Sequence, residues 1–513
     1  MLTKEGPNLV KPSEYLRKVV PSSSKPMEMA SKKYQYTMSD DVRDIEIKGI
    51  CHDSRKCGDN FLFVAIKGLK SDGHNYIHAA IQNGASAIIH QDQFESDLKN
   101  VPFIKVNDSR KALSHISNIF YENPSSCLKV IGVTGTNGKT SSTYFLKELL
   151  EKSGRKTGVI GTLGANFMDL KIELHNTTPE SLELQMLLRN MADLGAEYVV
   201  MEVSSHGVDM GRIEDITFRG GIFTNLTQDH LDYHVTMDEY YNAKKRFLEK
   251  PMMYKIINLD GNYGAEMYND IVKIGSKVIG FGRTKGDALI SDLIHDQGSI
   301  RFQLVTKDKA YTFKSGLVGD FNIYNLSGAI LAGIEEGLDY KNIEDAVKNI
   351  NGVPGRMERV PLDSDFKIII DYAHTPDGLE NVLSSLRKGC EGRLITLFGC
   401  GGDRDKGKRP IMGKIAGQLS DFCVVTSDNP RWEDPDSIID DIIPGIDETG
   451  AAYERITNRK DAIKRIIDIV QDNDVALIAG KGHEIWQSVK GVDYPFDEKE
   501  IVIEYYEKKR YQV

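Results

Sequence analysis

"KVIGVTGTNGKTSSTYFLKELLEKSG", residues 129–154, runs from a short apolar segment through a glycine-rich turn into an amphipathic stretch closed by Gly154. The first part has the length and apolarity of a buried strand. The last has the period of a helix that covers it. Between them stand Gly135, Gly138, Lys139 and Thr140, the residue types of a phosphate-binding loop. Glycines let backbone N–H groups close on phosphate oxygens, the helix N-terminus adds its dipole, and lysine supplies a point charge. The Thr140 hydroxyl suits Mg²⁺. The strict spacing is broken where Val133 replaces a glycine. A glycine-rich strand-to-helix turn is the simpler alternative; the lysine, the threonine and the flanking elements favour phosphate.

The same strand-and-helix rhythm continues on the C-terminal side. "EYVVMEVSS", "GGIFTNL" and "KIINLD" read as buried strands with helices between most of them, which predicts a mainly parallel sheet covered by helices. A Gly/Pro-rich boundary, "NGVPGRME" (351–358), precedes a second set: "FKIIIDYAH", "RLITLFG", "FCVVTSD" and "DVALIAG". On the N-terminal side "YENPSSCLK" reads as a linker after two β-rich runs in "DIEIKGICHDSRKCGDNFLFVAIKG". The expected class is α/β with three domains. These are a small N-terminal α/β unit (1–126, with a polar insertion at about 21–40), a central P-loop domain (127–353) and a Rossmann-like C-terminal domain (354–513). Ligands in such sheets bind beyond the carboxyl ends of the strands, where the polar motifs fall.

The bulk composition agrees with several ordinary domains. The chain has 513 residues and a formal charge of −10, which argues against a general nucleic-acid binder, and no apolar run reaches membrane-spanning length. Six cysteines without CxxC pairs point to a reducing compartment rather than a disulfide framework or zinc site. With no apolar leader at the N-terminus, the cytoplasm is expected.

"GTNGKTS" resembles the phosphate loop of the Mur ligases, which build the peptide of bacterial cell wall, and of the related folylpolyglutamate synthetases. The resemblance runs from "DSR" at 53 to "GKGHE" at 480. It is closest to the members that join a diamino acid to UDP-N-acetylmuramoyl-L-alanyl-D-glutamate while ATP becomes ADP and phosphate. It implies peptidoglycan-precursor synthesis by a cytoplasmic, monomeric enzyme with Mg²⁺ as cofactor. Such a ligase phosphorylates a carboxylate and then lets an amine displace the phosphate. A metal is needed because two anions must meet.

The resemblance also assigns residues. Gly135, Thr136, Asn137, Gly138, Lys139, Thr140 and Ser141 form the ATP loop, with Asn325 of "FNIYN" (preferred to Asn322), Arg356 of "GRME", and Asp371 and His374 of "DYAHTP". Thr140, Glu202 and His230 are implied metal ligands, with Asn225 nearby. Histidine is an unusual Mg²⁺ ligand, and the His230/His234 spacing offers zinc no third ligand. Lys244 aligns with the family's carbamylated lysine, an N6-carboxylysine that can hold a second metal. By sequence alone Lys244, Lys245 and Arg246 read as three solvated cations. Ser54, Arg55, Thr177, Thr178, Ser204 and Arg212 are implied for the UDP-substrate; at 69–71 the family's His-Gln-Ala is here Leu69, Lys70 and Ser71.

Arg404, Asp428, Asn429, Arg431, Gly480 and Glu484 are implied to form the amino-acid pocket. meso-Diaminopimelate keeps an ammonium and a carboxylate at its unreacted end. Arg431 suits the carboxylate as a bidentate fork, and Asp428 and Glu484 suit the ammonium. L-Lysine lacks that carboxylate, so Arg431 favours diaminopimelate. The alternatives are an L-lysine-adding ligase, a folylpolyglutamate synthetase, which would need neither "DNPR" nor the "DSR" unit, and a P-loop nucleotide switch, which would need no amino-acid pocket.

Overall fold

A computed structural model describes residues 36–37, 45–68, 71–92, 101–229, 231–296, 299–317, 319–350 and 352–510. Three sheets follow one another along the chain. The first has five strands in the order Tyr36–Thr37, Phe103–Val106, Ala85–His90, Phe61–Val64, Gly49–Cys51, parallel except for the first. Most of the polar insertion lies outside the described residues; its strand Tyr36–Thr37 pairs with Phe103–Val106.

The second sheet has eleven strands, and the predicted strand Lys129–Thr134 lies inside it. Its neighbours, Tyr198–Glu202 and Phe218–Phe223, are parallel to it, as are Thr157–Gly161, Tyr254–Asn258 and Val278–Gly282 further out. Each is a nearly continuous apolar run because helices cover both faces. The helix Lys139–Lys152 packs Phe145, Leu146, Leu149 and Leu150 into one of the two cores. Gly164–Phe167 and Leu170–Ile172 follow in antiparallel pairing on one side; on the other Ala288–Asp296 runs parallel to Val278–Gly282, and Ser299–Thr306 and Ala310–Ser315 follow in antiparallel pairing.

The third sheet contains the four predicted C-terminal strands, Lys367–Asp371, Leu394–Phe398, Phe422–Val425 and Val475–Ala479, all mutually parallel. Val475–Ala479 is inserted between the first two. "DYAHTP", "GCGGDR", "DNPR" and "GKGHE" therefore leave the sheet at the same edge.

One cysteine expectation is corrected. Cys51 and Cys57 form a disulfide, because the strand end and the turn after "DSR" bring their Cα atoms to 5.8 Å. Cys127, Cys390, Cys400 and Cys423 are free. Among the described residues no helix is long and apolar enough to cross a membrane.

Candidate active site

The phosphate loop is held from outside by the next strand end. Asn137 N donates to Asn225 Oδ1 (3.0 Å), Thr224 Oγ1 donates to the Asn137 carbonyl (2.6 Å), and Thr136 Oγ1 lies 3.1 Å from Tyr240 Oη. Gly138 begins the helix at φ +82°, and a Cβ there would overlap the Asn325 side-chain amide. Glycine is thus required both for the turn and for Asn325 to approach. Lys139 Nζ donates to the carbonyls of Gly135 (2.9 Å) and Thr136 (2.8 Å); burial depresses its pKa, while Glu202 and Asp229 oppose that. Thr140 is buried, and its Oγ1 accepts a bond from Arg356 Nη2 (3.3 Å). Gly138, Ser141, Asn325, Arg356, Asp371 and His374 line a cavity of about 360 Å³ beside the loop, with Phe321 and Tyr324 supplying aromatic wall.

Glu202 ends its strand fully buried. Oε1 accepts from Thr162 N (2.8 Å) and Oε2 from Thr162 Oγ1 (3.1 Å). Lys244 overturns the solvated-cation reading: it is 1% exposed, and its Nζ donates to Gly135 O (2.9 Å) above the Tyr240 ring. Its neighbours do face outward, Lys245 pairing with Asp270 and Arg246 with Asp209. Desolvation, then repulsion from Lys139, pushes the Lys244 pKa well below the usual lysine value. Its amine is therefore biased toward the neutral, nucleophilic form.

His230 lies outside the described residues. His234 is buried against Tyr240 and His206, and burial followed by His206 pulls its pKa down to about 4. Among the described residues the one metal-like cluster is remote, Asp72, His74 and Asp92. There both His74 nitrogens are engaged, Nδ1 with Asp72 (2.6 Å) and Nε2 with Gln91 N (3.1 Å).

Several predicted residues are committed to the protein itself. Thr178 is fully buried, donating to Glu202 O (2.9 Å) and accepting from Ser204 N (2.9 Å), whereas Thr177 reaches the larger cavity. Ser204 Oγ caps the short helix Ser205–Asp209 through Gly207 N (3.1 Å). Arg212 Nη1 donates to Thr178 O (2.8 Å). Asp371 accepts from Met357 N and Ala373 N, both at 2.7 Å, and burial raises its pKa against the pull of Arg356. Asp371 thereby shapes the loop around Arg356. In the first domain Asp53 caps the turn Ser54–Lys56 and pairs with exposed Arg55, while Ser54 is buried. Neither Ser54 nor Arg55 lines the two cavities described here.

The C-terminal set converges. Arg404, Asp428, Asn429, Arg431, Gly480 and Glu484 line one cavity of about 910 Å³, together with Thr177, Ser204 and Arg212 from the central domain. Gly480 has φ +117°, and a Cβ would press on Asp428 Oδ2, which is buried without a hydrogen-bond partner. Asn429 Nδ2 donates to Glu484 Oε2 (2.8 Å). Arg431 sits at φ +53°, its Nη1 donating to Gly402 O (2.9 Å); burial, then Arg404, lowers its pKa. His374, Tyr372, Thr375 and Asp377 border both cavities. His374 Nδ1 is bonded to Tyr372 O (2.8 Å), and burial lowers its pKa.

Residues missed from sequence include Asp377, which accepts from Asn137 Nδ2 (2.6 Å) across the domain boundary. Buried Lys481 was also missed, although it lies inside the quoted "GKGHE".

Three family models match the chain: Mur ligase family, catalytic domain (46–121), Mur ligase middle domain (133–333), and Mur ligase, glutamate ligase domain (355–482). A UDP-N-acetylmuramoyl-L-alanyl-D-glutamate–2,6-diaminopimelate ligase of Clostridium botulinum is 45% identical over 464 residues, covering 90% of this chain and 95% of that protein. A second ligase of that description, from Clostridium acetobutylicum, is 46% identical over 465 residues with the same coverages. A solved structure of a ligase of that description superposes with TM-score 0.64 at 33% identity, covering 90% of this chain and 95% of that one.

Proposed function

Because the chain belongs to the Mur ligase family, and is thus an ATP-dependent, amide-bond-forming ligase, we propose that it adds meso-2,6-diaminopimelate to UDP-N-acetylmuramoyl-L-alanyl-D-glutamate. The observation that carries this reading is one cavity containing Arg404, Arg431, Asp428 and Glu484 together with Thr177, Ser204 and Arg212. Two cationic forks and two acids match the zwitterionic end of a diamino diacid. The central-domain side brings a peptide carboxylate toward the phosphate loop.

ATP would lie along Gly135–Ser141, with its base end toward Asn325, Phe321 and Tyr324. Lys139, now bonded to loop carbonyls, would exchange them for phosphate oxygens, and Arg356 approaches from the C-terminal domain. The donor set fits Mg²⁺: Glu202 offers a buried carboxylate, Thr140 a hydroxyl, His230 is implied by family resemblance, and Lys244 offers a depressed-pKa amine able to take up CO₂ as a carbamate. Bound Mg²⁺ would supply charge neutralisation between the attacking carboxylate and the γ-phosphate. The pocket then presents the reacting amine of diaminopimelate to the acyl phosphate while Arg431 holds the distal carboxylate. We place the domain boundaries at 126/127 and 353/354, with the protein acting as a cytoplasmic monomer.

The test is phosphate release with UDP-N-acetylmuramoyl-L-alanyl-D-glutamate and ATP, with meso-diaminopimelate, L-lysine or no amino acid added. Release should require diaminopimelate. Equal turnover with L-lysine would select the lysine-adding reading, and release without any amino acid would favour a nucleotide switch.

A further inference from the structure

Lys481 has no part in the site as described so far, yet it is fully buried behind the amino-acid pocket. A buried ammonium is costly unless it is paired and hydrogen-bonded. Its Nζ donates to Asn429 Oδ1 (2.9 Å) and to Glu484 Oε2 (3.1 Å), and Asn429 Nδ2 donates to that same Oε2 (2.8 Å). The three side chains close a triangle. Ser488 N adds a second bond to Asn429 Oδ1 (2.9 Å), so the amide can face Glu484 only with its NH₂ group. Tyr372 Oη reaches the other Glu484 oxygen at 3.4 Å.

The two pocket acids are therefore not equivalent. Glu484 already has a cation and an amide on one oxygen. Asp428 Oδ2 is buried without a hydrogen-bond partner, and the nearest guanidinium, Arg459 Nη1, is 4.0 Å away.

We propose that Lys481 is a specificity-positioning residue that counter-charges Glu484, so that the pocket prefers a zwitterionic amino-acid end over a lone ammonium. The proposal rests on the diaminopimelate reading of the pocket. With Lys481 neutralising Glu484, Asp428 is left to take an incoming ammonium and the Arg404/Arg431 pair to take a carboxylate, so an ammonium–carboxylate pair finds a partner for each charge. Without Lys481, Glu484 becomes an extra unmatched anion. It attracts a bare ammonium and weakens the field that holds a distal carboxylate on Arg431.

The experiment measures steady-state kinetics of the full-length enzyme with meso-diaminopimelate and with L-lysine for wild type, Lys481→Met, Glu484→Gln and the double variant. Lys481→Met should raise the KM for diaminopimelate about ten- to a hundred-fold, the size expected for a lost charge-assisted contact. The kcat at saturation and the KM for ATP should change by no more than about threefold on the same scale. kcat/KM for L-lysine should hold or rise. In the double variant the preference for diaminopimelate should recover relative to Lys481→Met, because the unmatched carboxylate is gone.

Parallel losses for both amino acids, a shift in the KM for ATP, or simple additivity in the double variant would overturn the proposal. If Lys481→Met does not fold, the double variant decides: folding with its preference retained supports counter-charging, and failure to fold makes Lys481 a structural residue only. If wild type does not prefer diaminopimelate, the pocket reading itself has failed, which is evident before any variant is measured.

Discussion

Lys244 carries the sharpest consequence at the scale of single residues. It stands beside half-buried Lys245 and exposed Arg246, but helical spacing sets it on the same stripe as Tyr240, Tyr241, Phe247 and Leu248. That stripe is the signal the solvated-cation reading overlooked, since an apolar helix face repeats every three to four residues. Its carbamate was legible only by resemblance, since no pattern of side chains encodes CO₂. Lys244→Ala should be nearly inactive and partly rescued by small carboxylates. In the wild type, ¹³CO₂ should give a carbamate resonance that disappears in the variant; its absence from active enzyme would remove this chemistry. Arg431 makes a second prediction at this scale. Arg431→Ala should lose about 2–5 kcal/mol in kcat/KM for diaminopimelate, the cost of an unpaired buried charge. L-Lysine turnover should change much less. Steady-state kinetics with both amino acids decide it, and a retained preference would return the pocket to other residues.

Secondary elements were easiest to read where burial is two-sided. The strands around the phosphate loop and the four C-terminal strands were visible as apolar runs because helices cover both faces. The flanking strands Ala288–Asp296, Ser299–Thr306 and Ala310–Ser315 were not, since their more exposed residues interrupt the apolar pattern. Loop contacts were hidden for another reason. Partners such as Asp371 with Met357 N, or Lys481 with Asn429, become neighbours only when separate strand ends meet at one edge.

One such contact joins elements and predicts a pH effect. Arg409, buried on the helix Lys408–Leu419, donates to Glu433 Oε1 (2.9 Å) and to Asp441 Oδ2 (2.8 Å) on the helix Pro435–Asp447. Its hydrogen bonds hold the Glu433 pKa near 2, below the usual 4.5. A depressed carboxyl stabilises the fold above its unfolded pKa and loses that contribution as pH falls through the folded value. Glu433→Gln should therefore cost about 2 kcal/mol at pH 7 and progressively less from pH 4.5 toward pH 2. Denaturant unfolding at several pH values measures this. A penalty independent of pH would mean packing, not charge, carries the contact.

On the scale of the whole molecule, the three sheets are separate along the chain, but the second and third face a shared space. Strand ends from both supply the walls of the larger cavity, and Arg356 reaches Thr140 from one domain to the other. Function was legible here mainly because resemblance extends over nearly the full chain. Composition and periodicity alone gave a P-loop α/β protein without a substrate.

The bond from Asn137 Nδ2 to Asp377 Oδ2 links the nucleotide loop to residues that border the amino-acid cavity. Thermodynamic linkage makes such a shared wall reciprocal. If a non-hydrolysable ATP analogue tightens diaminopimelate binding by some factor, diaminopimelate must tighten the analogue by the same factor. Asp377→Ala should bring both factors toward unity together in calorimetric titrations, while each ligand alone still binds. Cooperativity surviving undiminished in that variant would show that communication takes another route. Should both factors fall together, one interdomain hydrogen bond couples the two sites, and each substrate raises the affinity for the other whichever arrives first.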